Sequence, residues 1–116
     1  MKYVLMFVET EEFAERFRTM SPAERGQAFA RVDRWLAEYA DKIGNGAKLA
    51  SPETATTVRL DGAEPIITDG PFVEGKEIVS GFLEIEVADL DEALRMVRDW
   101  PGCPIVEIRP PEAMER

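Results

Sequence analysis

The run Tyr3-Val4-Leu5-Met6-Phe7-Val8 constrains the fold more than any other stretch of this chain. It is short, with β-branched and aromatic residues, and reads as a strand. Side chains along a strand point alternately to opposite faces of the sheet. This strand is apolar in both directions, so its sheet needs a cover on each side. A sheet with one wet face would alternate apolar with polar residues instead.

The rest of the chain supplies one cover. Phe13, Phe17 and Met20 recur at helical spacing within Glu11 to Met20. Ser21-Pro22-Ala23-Glu24 starts a second helix: Ser21 caps it, Pro22 suits the first turn and Glu24 closes a capping box. Its expected buried face is Ala28, Val32, Leu36, Tyr39 and Ile43, with Trp35 beside it, and Gly44-Asn45-Gly46 is expected to end it through positive φ. Ala47 to Ala50 reads as a short strand. Thr54 to Leu60 and Glu64 to Thr68 flank Asp61-Gly62 and read as a β-hairpin. Asp69-Gly70-Pro71 then turns the chain into a loop through Gly75. Ser80 to Val87 is a strand with Leu83, Ile85 and Val87 on one face and Phe82, Glu84 and Glu86 on the other. Asp89 caps a further helix whose apolar side is Leu90, Ala93, Leu94, Val97 and Trp100. Pro101-Gly102 stops it, Ile105 to Arg109 forms the last strand, and Pro110-Pro111 blocks continuation.

This order suits one α+β domain over residues 1–116: a ferredoxin-like sheet with an added β-hairpin and its helices on one face. The helices cannot cover the second face. Another copy packed sheet against sheet would do so, which gives a homodimer as the expected state.

Charge and composition exclude several functions. The chain carries a net charge of −9, which opposes nucleic-acid binding and docking on anionic membranes. No apolar run approaches a membrane span, and the opening strand runs straight into acidic residues rather than forming a leader. With a single cysteine, Cys103, no internal disulfide is possible, and a cytoplasmic location is expected. Histidine is absent, so no Ser-His-Asp or Cys-His arrangement exists and proton transfer falls to carboxylates, Lys, Tyr, Cys or water.

The densest cluster of polar chemistry is the stretch DGPFVEGKE, residues 69–77. Gly70-Pro71 fixes a bend that would hold the Asp69 carboxylate in one orientation, as proton transfer or ligand binding requires. Lys76 is placed to bind an anion or lower a carboxylate's pKa. Ordinary turn chemistry, with Asp69 accepting backbone N–H groups, explains the same residues. Glu84 shares a strand face with Glu86, and Glu107 shares one with Arg109; where these faces meet a dimer cavity they give it acidic groups and one fixed cation, and otherwise they lie at a wet sheet edge. No metal-ligand pattern or cofactor motif is present, so no metal or cofactor is expected.

The same stretch resembles the YCII-related family, in the branch named for DGPF or, at greater length, DGPFAETKE. Val73 and Gly75 depart from that pattern; Asp69 to Phe72, Glu74, Lys76 and Glu77 match it. Thr54-Ala55-Thr56-Thr57-Val58-Arg59, Gly81-Phe82, Asp89-Leu90-Asp91-Glu92-Ala93 and Val106-Glu107-Ile108-Arg109-Pro110 extend the resemblance over nearly the whole chain. The resemblance implies a dimeric α/β barrel of ferredoxin-like subunits. It also implies small-molecule chemistry in some relatives, through a His–Asp pair of which this chain matches only the aspartate, as Asp69. Genes of this branch often lie beside those for extracytoplasmic-function sigma factors, which implies a regulatory association. Two functions follow. One is a small-ligand-binding protein with a dimer-associated cavity centred on Asp69 and lined by Lys76, Arg109, Glu84 and Glu107. The other is an enzyme using Asp69 as acid or base, or a regulatory module.

Overall fold

The computed structural model describes residues 1–72 and 75–113. The chain runs β1 (Lys2–Thr10), α1 (Glu11–Thr19), α2 (Pro22–Glu38), β2 (Ile43–Lys48), β3 (Thr56–Arg59), β4 (Ile66–Asp69), β5 (Glu77–Glu86), α3 (Leu90–Arg98) and β6 (Ile105–Arg109), with 3-10 turns at Ala40–Lys42 and Pro52–Thr54. Strands β2-β5-β1-β6 form an antiparallel four-stranded sheet, and β3-β4 form a separate two-stranded one. Leaving out the hairpin, the order is β-α-β-β-α-β with the first and third strands in the centre, a split βαβ arrangement.

Local chemistry sets the helix starts. Ser21 Oγ accepts from Glu24 N–H while the Glu24 carboxylate accepts from Ser21 N–H, completing the capping box. Thr10 and Asp89 cap α1 and α3 by accepting from Phe13 and Glu92 N–H. The core lies between the helices and one face of the sheet: Tyr3, Leu5, Leu83, Ile85 and Val87 against Trp35, Ala93 and Met96. Trp35 Nε1 donates to the Met96 carbonyl at 2.9 Å, so the indole is buried with its donor satisfied.

Three expectations need correction. The Gly44-Asn45-Gly46 segment does not stop a helix by positive φ. Helix α2 ends at Glu38, and the glycines lie inside β2, which begins at Ile43 rather than Ala47. Among the described residues Gly70 is the one with positive φ, at 108°. Glycine is needed at 46 for space: a β-carbon there would sit 2.6 Å from the Phe82 carbonyl oxygen on β5. Second, the expected inward faces of α2 and α3 hold for Ala28, Val32, Trp35 and Tyr39 and for Ala93, Val97 and Trp100, but they differ at their margins. Trp35 is the buried anchor of α2 and Leu36 faces out; on α3, Ala93 and Met96 are buried while Leu90 and Leu94 are exposed. The Trp35 ring packs at 5.4 Å from Tyr39 and 5.0 Å from Trp100, and seating that large ring between them turns Leu36 away. Third, Asp61-Gly62 is not a two-residue hairpin turn. The register pairs Arg59 with Ile66, so residues 60–65 form a longer loop.

Candidate functional site

Register on the sheet decides which polar groups meet. On the helix-free face, Arg109, Val4 and Glu84 lie in one row across β6, β1 and β5, and Glu107, Met6, Phe82 and Ala47 lie in the next, reaching β2. The result is an apolar floor of Val4, Met6 and Phe82 flanked by Glu84 on one side and the Glu107–Arg109 pair on the other. Arg109 Nε is 2.7 Å from Glu107 Oε2, so the cation is held by its strand neighbour two residues away. Gly44, at the sheet edge, leaves room beside Glu84: a β-carbon there would come no closer than 3.6 Å.

The DGPF segment lies elsewhere. Asp69 ends β4 opposite Thr56 and is exposed. The bend after it is fixed by Gly70 and not by the carboxylate. Gly70 N–H donates to Ala55 O at 2.7 Å, and Thr57 Oγ1 donates to Gly70 O at 2.7 Å. Among the described residues, no hydrogen bond or ion pair engages the Asp69 carboxylate. Phe72 lies under Arg59, with the guanidinium carbon 5.2 Å from the ring centre, and the two line an open groove of about 440 Å³ with Val58, Leu60 and Asp61. Val73 and Glu74, within the same motif, lie outside the described residues.

Lys76 is at the other end of that loop. Its carbonyl accepts from Glu11 N–H at 2.8 Å, and it borders a shallow groove with Thr10, Glu11, Glu12, Glu15 and Glu77. Thus Glu84, Glu107 and Arg109 share the helix-free sheet face, whereas within one chain Asp69 stands on the hairpin and Lys76 beside α1. Sequence reasoning missed the Arg59–Phe72 pair and the Thr57–Gly70 tie. The only signal for either was the hairpin pattern, because both depend on the chain doubling back between Thr57 and Phe72.

Cys103 and the Lys42–Glu92 pair have structural explanations. Cys103 is buried, and burial pushes its thiol up, away from the thiolate form. Lys42 and Glu92 pair at 2.6 Å; this bond raises the lysine and lowers the carboxyl. No group of His, Cys, Asp or Glu with metal-holding geometry occurs among the described residues, and no helix is long and apolar enough to cross a membrane.

The geometry sits within a known structural group. The chain is 43% identical over 75 residues to an uncharacterized protein of Rhizobium meliloti (strain 1021), a match covering 61% of this chain and 60% of that protein; the matched region thus spans less than two thirds of that relative. Its fold is similar to that of the 5-chloro-2-hydroxyhydroquinone dehydrochlorinase TftG from Burkholderia phenoliruptrix AC1100, solved in complex with 2,5-dihydroxybenzoquinone. The TM-score is 0.51 at 16% identity, with 97% of this chain and 94% of that one covered. The model of the YCII-related domain matches residues 1–109, nearly the full length of the chain, and the chain belongs to the YCII-related family.

Proposed function

We propose that this protein is a small-ligand-binding member of the DGPF branch. In this reading it acts as a single-domain homodimer, an α/β barrel in which the helix-free sheet faces of two copies enclose the ligand. The observation that carries the reading is the composition of that face: an apolar floor of Val4, Met6 and Phe82 with Glu84, Glu107 and Arg109 at its margin. A concave apolar surface with a few convergent polar groups is the general form of a small-molecule site. Its chemistry suits a compact, largely apolar ring compound with oxygen substituents. The ring covers the floor, and the oxygens meet Arg109 and the carboxylates. TftG, which shares the fold, is complexed with a ligand of that kind.

Titration with 2,5-dihydroxybenzoquinone and a panel of phenols and small aromatic carboxylates tests this. Saturable binding is expected, weakened at least about tenfold, roughly 1.4 kcal/mol, by Arg109→Gln. Absence of saturable binding across the panel sinks the proposal.

A catalytic role for Asp69 is the second reading. It is favoured by the fixed Gly70 bend, whose backbone N–H and C=O are both bonded, so that the adjoining carboxylate is carried on an ordered backbone. Asp69→Asn keeps the shape and removes the charge. In the catalytic reading, turnover of any bound compound is lost while thermal unfolding is unchanged. Turnover equal to wild type excludes Asp69 as acid or base.

A further inference from the structure

We infer that the β3–β4 hairpin is an arm that packs on a second copy of this chain and carries Asp69 to it, so that the ligand cleft is built from residues of two chains. This rests on the homodimer proposed above and adds the partner's contribution to the site.

The first observation is that, among the described residues, the hairpin is paired only with itself. It is a separate two-stranded sheet, outside the four-stranded one. An isolated two-stranded hairpin is marginal in water and needs a surface to lie on. The second is its side-chain pattern. Register places Val58 opposite Ile67 and Thr56 opposite Asp69, so these four residues share one face of the hairpin. Val58 is 49% exposed and Ile67 70% exposed, an apolar cross-strand pair in solvent. Whatever covers that pair also lies against Asp69.

The third observation is size. The radius of gyration is 16.6 Å, against about 13 Å for a compact chain of this length. The molecule measures 49 × 48 × 19 Å, a slab and not a ball. Its accessible surface is 8705 Å², whereas a compact monomer of 13.0 kDa exposes about 6,300 Å². The excess, roughly 2,400 Å², falls at the upper end of the roughly 1,000–2,500 Å² that each subunit of an obligate homodimer buries.

A second copy is the occupant that accounts for all of this at once. Among the described residues, the apolar surfaces left uncovered include the helix-free sheet face and the Val58–Ile67 face of the arm. A two-fold axis covers both surfaces on both chains with the same contacts used twice. A foreign partner for the arm would leave the sheet face bare.

Sedimentation equilibrium from 0.1 to 100 μM, with hydrogen exchange on the same samples, tests the arm separately from the dimer. Wild type is expected to be a dimer. The double variant Val58→Asp/Ile67→Asp is expected to weaken it at least about 100-fold, because two charges must be buried or the arm released. The Trp35 and Trp100 near-ultraviolet signal should stay unchanged, since neither lies on the hairpin. The amides of β3 and β4 should be protected in the dimer and lose protection on dilution to monomer. A double variant that dimerises like wild type overturns the arm and leaves the sheet-face dimer standing. Protection of β3–β4 that does not depend on concentration also overturns it, since the arm then packs on its own chain. A wild type that stays monomeric at 100 μM overturns both.

Discussion

A β-carbon at position 46 would lie 2.6 Å from the Phe82 carbonyl oxygen and 2.7 Å from Leu83 Cδ1. The first neighbour is backbone in a central strand and cannot swing aside. Gly46→Ala should therefore push β2 away from β5 and lower stability by roughly 1–3 kcal/mol, the usual range for overpacking. Gly44→Ala is the control: its β-carbon would meet Glu84 at 3.6 Å, ordinary van der Waals distance, and the change should stay within about 0.5 kcal/mol. Urea unfolding of both variants compares them; equal midpoints would refute the close-approach account of Gly46. A Gly-Asn-Gly run suits a helix stop, and only the β2–β5 pairing reveals that position 46 needs glycine for space while position 44 does not.

Between elements, the end of α2 is tied to the end of α3 by Tyr39, whose hydroxyl donates to Asp99 Oδ2 at 2.5 Å. Asp99 is the residue that ends α3, so the bond joins two helix termini on the sheet. The hydrogen bond to Asp99 pushes the Tyr39 pKa up from 10.0 to about 12, with smaller contributions from burial and the nearby negative charges. Because the folded value is raised, the stabilisation is fully present below pH 10 and is lost as pH rises toward 12. Tyr39→Phe should cost about 1 kcal/mol at neutral pH, and the gap between variant and wild type should close above pH 10. Chemical unfolding at a series of pH values checks this; a gap that is constant or widens through that range refutes the Tyr39–Asp99 tie. The elements themselves were largely legible. Ser21 with Glu24 and Asp89 announce their helices through short-range hydrogen bonds, and β1, β5 and β6 through alternation and run length. The inward side of each helix was legible from helical spacing, but its margins at Leu36, Leu90, Leu94 and Met96 were not, because the Trp35–Tyr39–Trp100 cluster that sets the final packing joins residues more than sixty positions apart.

For the whole molecule, a net charge of −9 on a thin slab works against any polyanionic partner. A fluorescence-anisotropy titration with duplex DNA at physiological salt should show no complex. Micromolar binding that falls steeply with added salt would reveal a cationic surface that the charge balance gives no reason to expect. The same slab shape bears on ligand binding. One chain presents an open floor, and enclosure of a small molecule calls for a second surface above it.

Patterns short enough to act through neighbouring residues were determined by the sequence alone. These are the helix caps, the two-faced strand Tyr3–Val8, the hairpin, the Gly70 bend and the division of β5 into a core face and a polar face. The tertiary structure decided what depends on pairing between distant segments. Cross-strand register brought Arg109, Val4 and Glu84 into one row, although Val4 and Arg109 are 105 positions apart in the chain. It also placed Asp69 on a separate hairpin and Lys76 beside the start of α1, though they are only seven positions apart in sequence. The physical reason is that strand alternation fixes the face on which a side chain lies, while its neighbours across the sheet are fixed only when the strands hydrogen-bond in register.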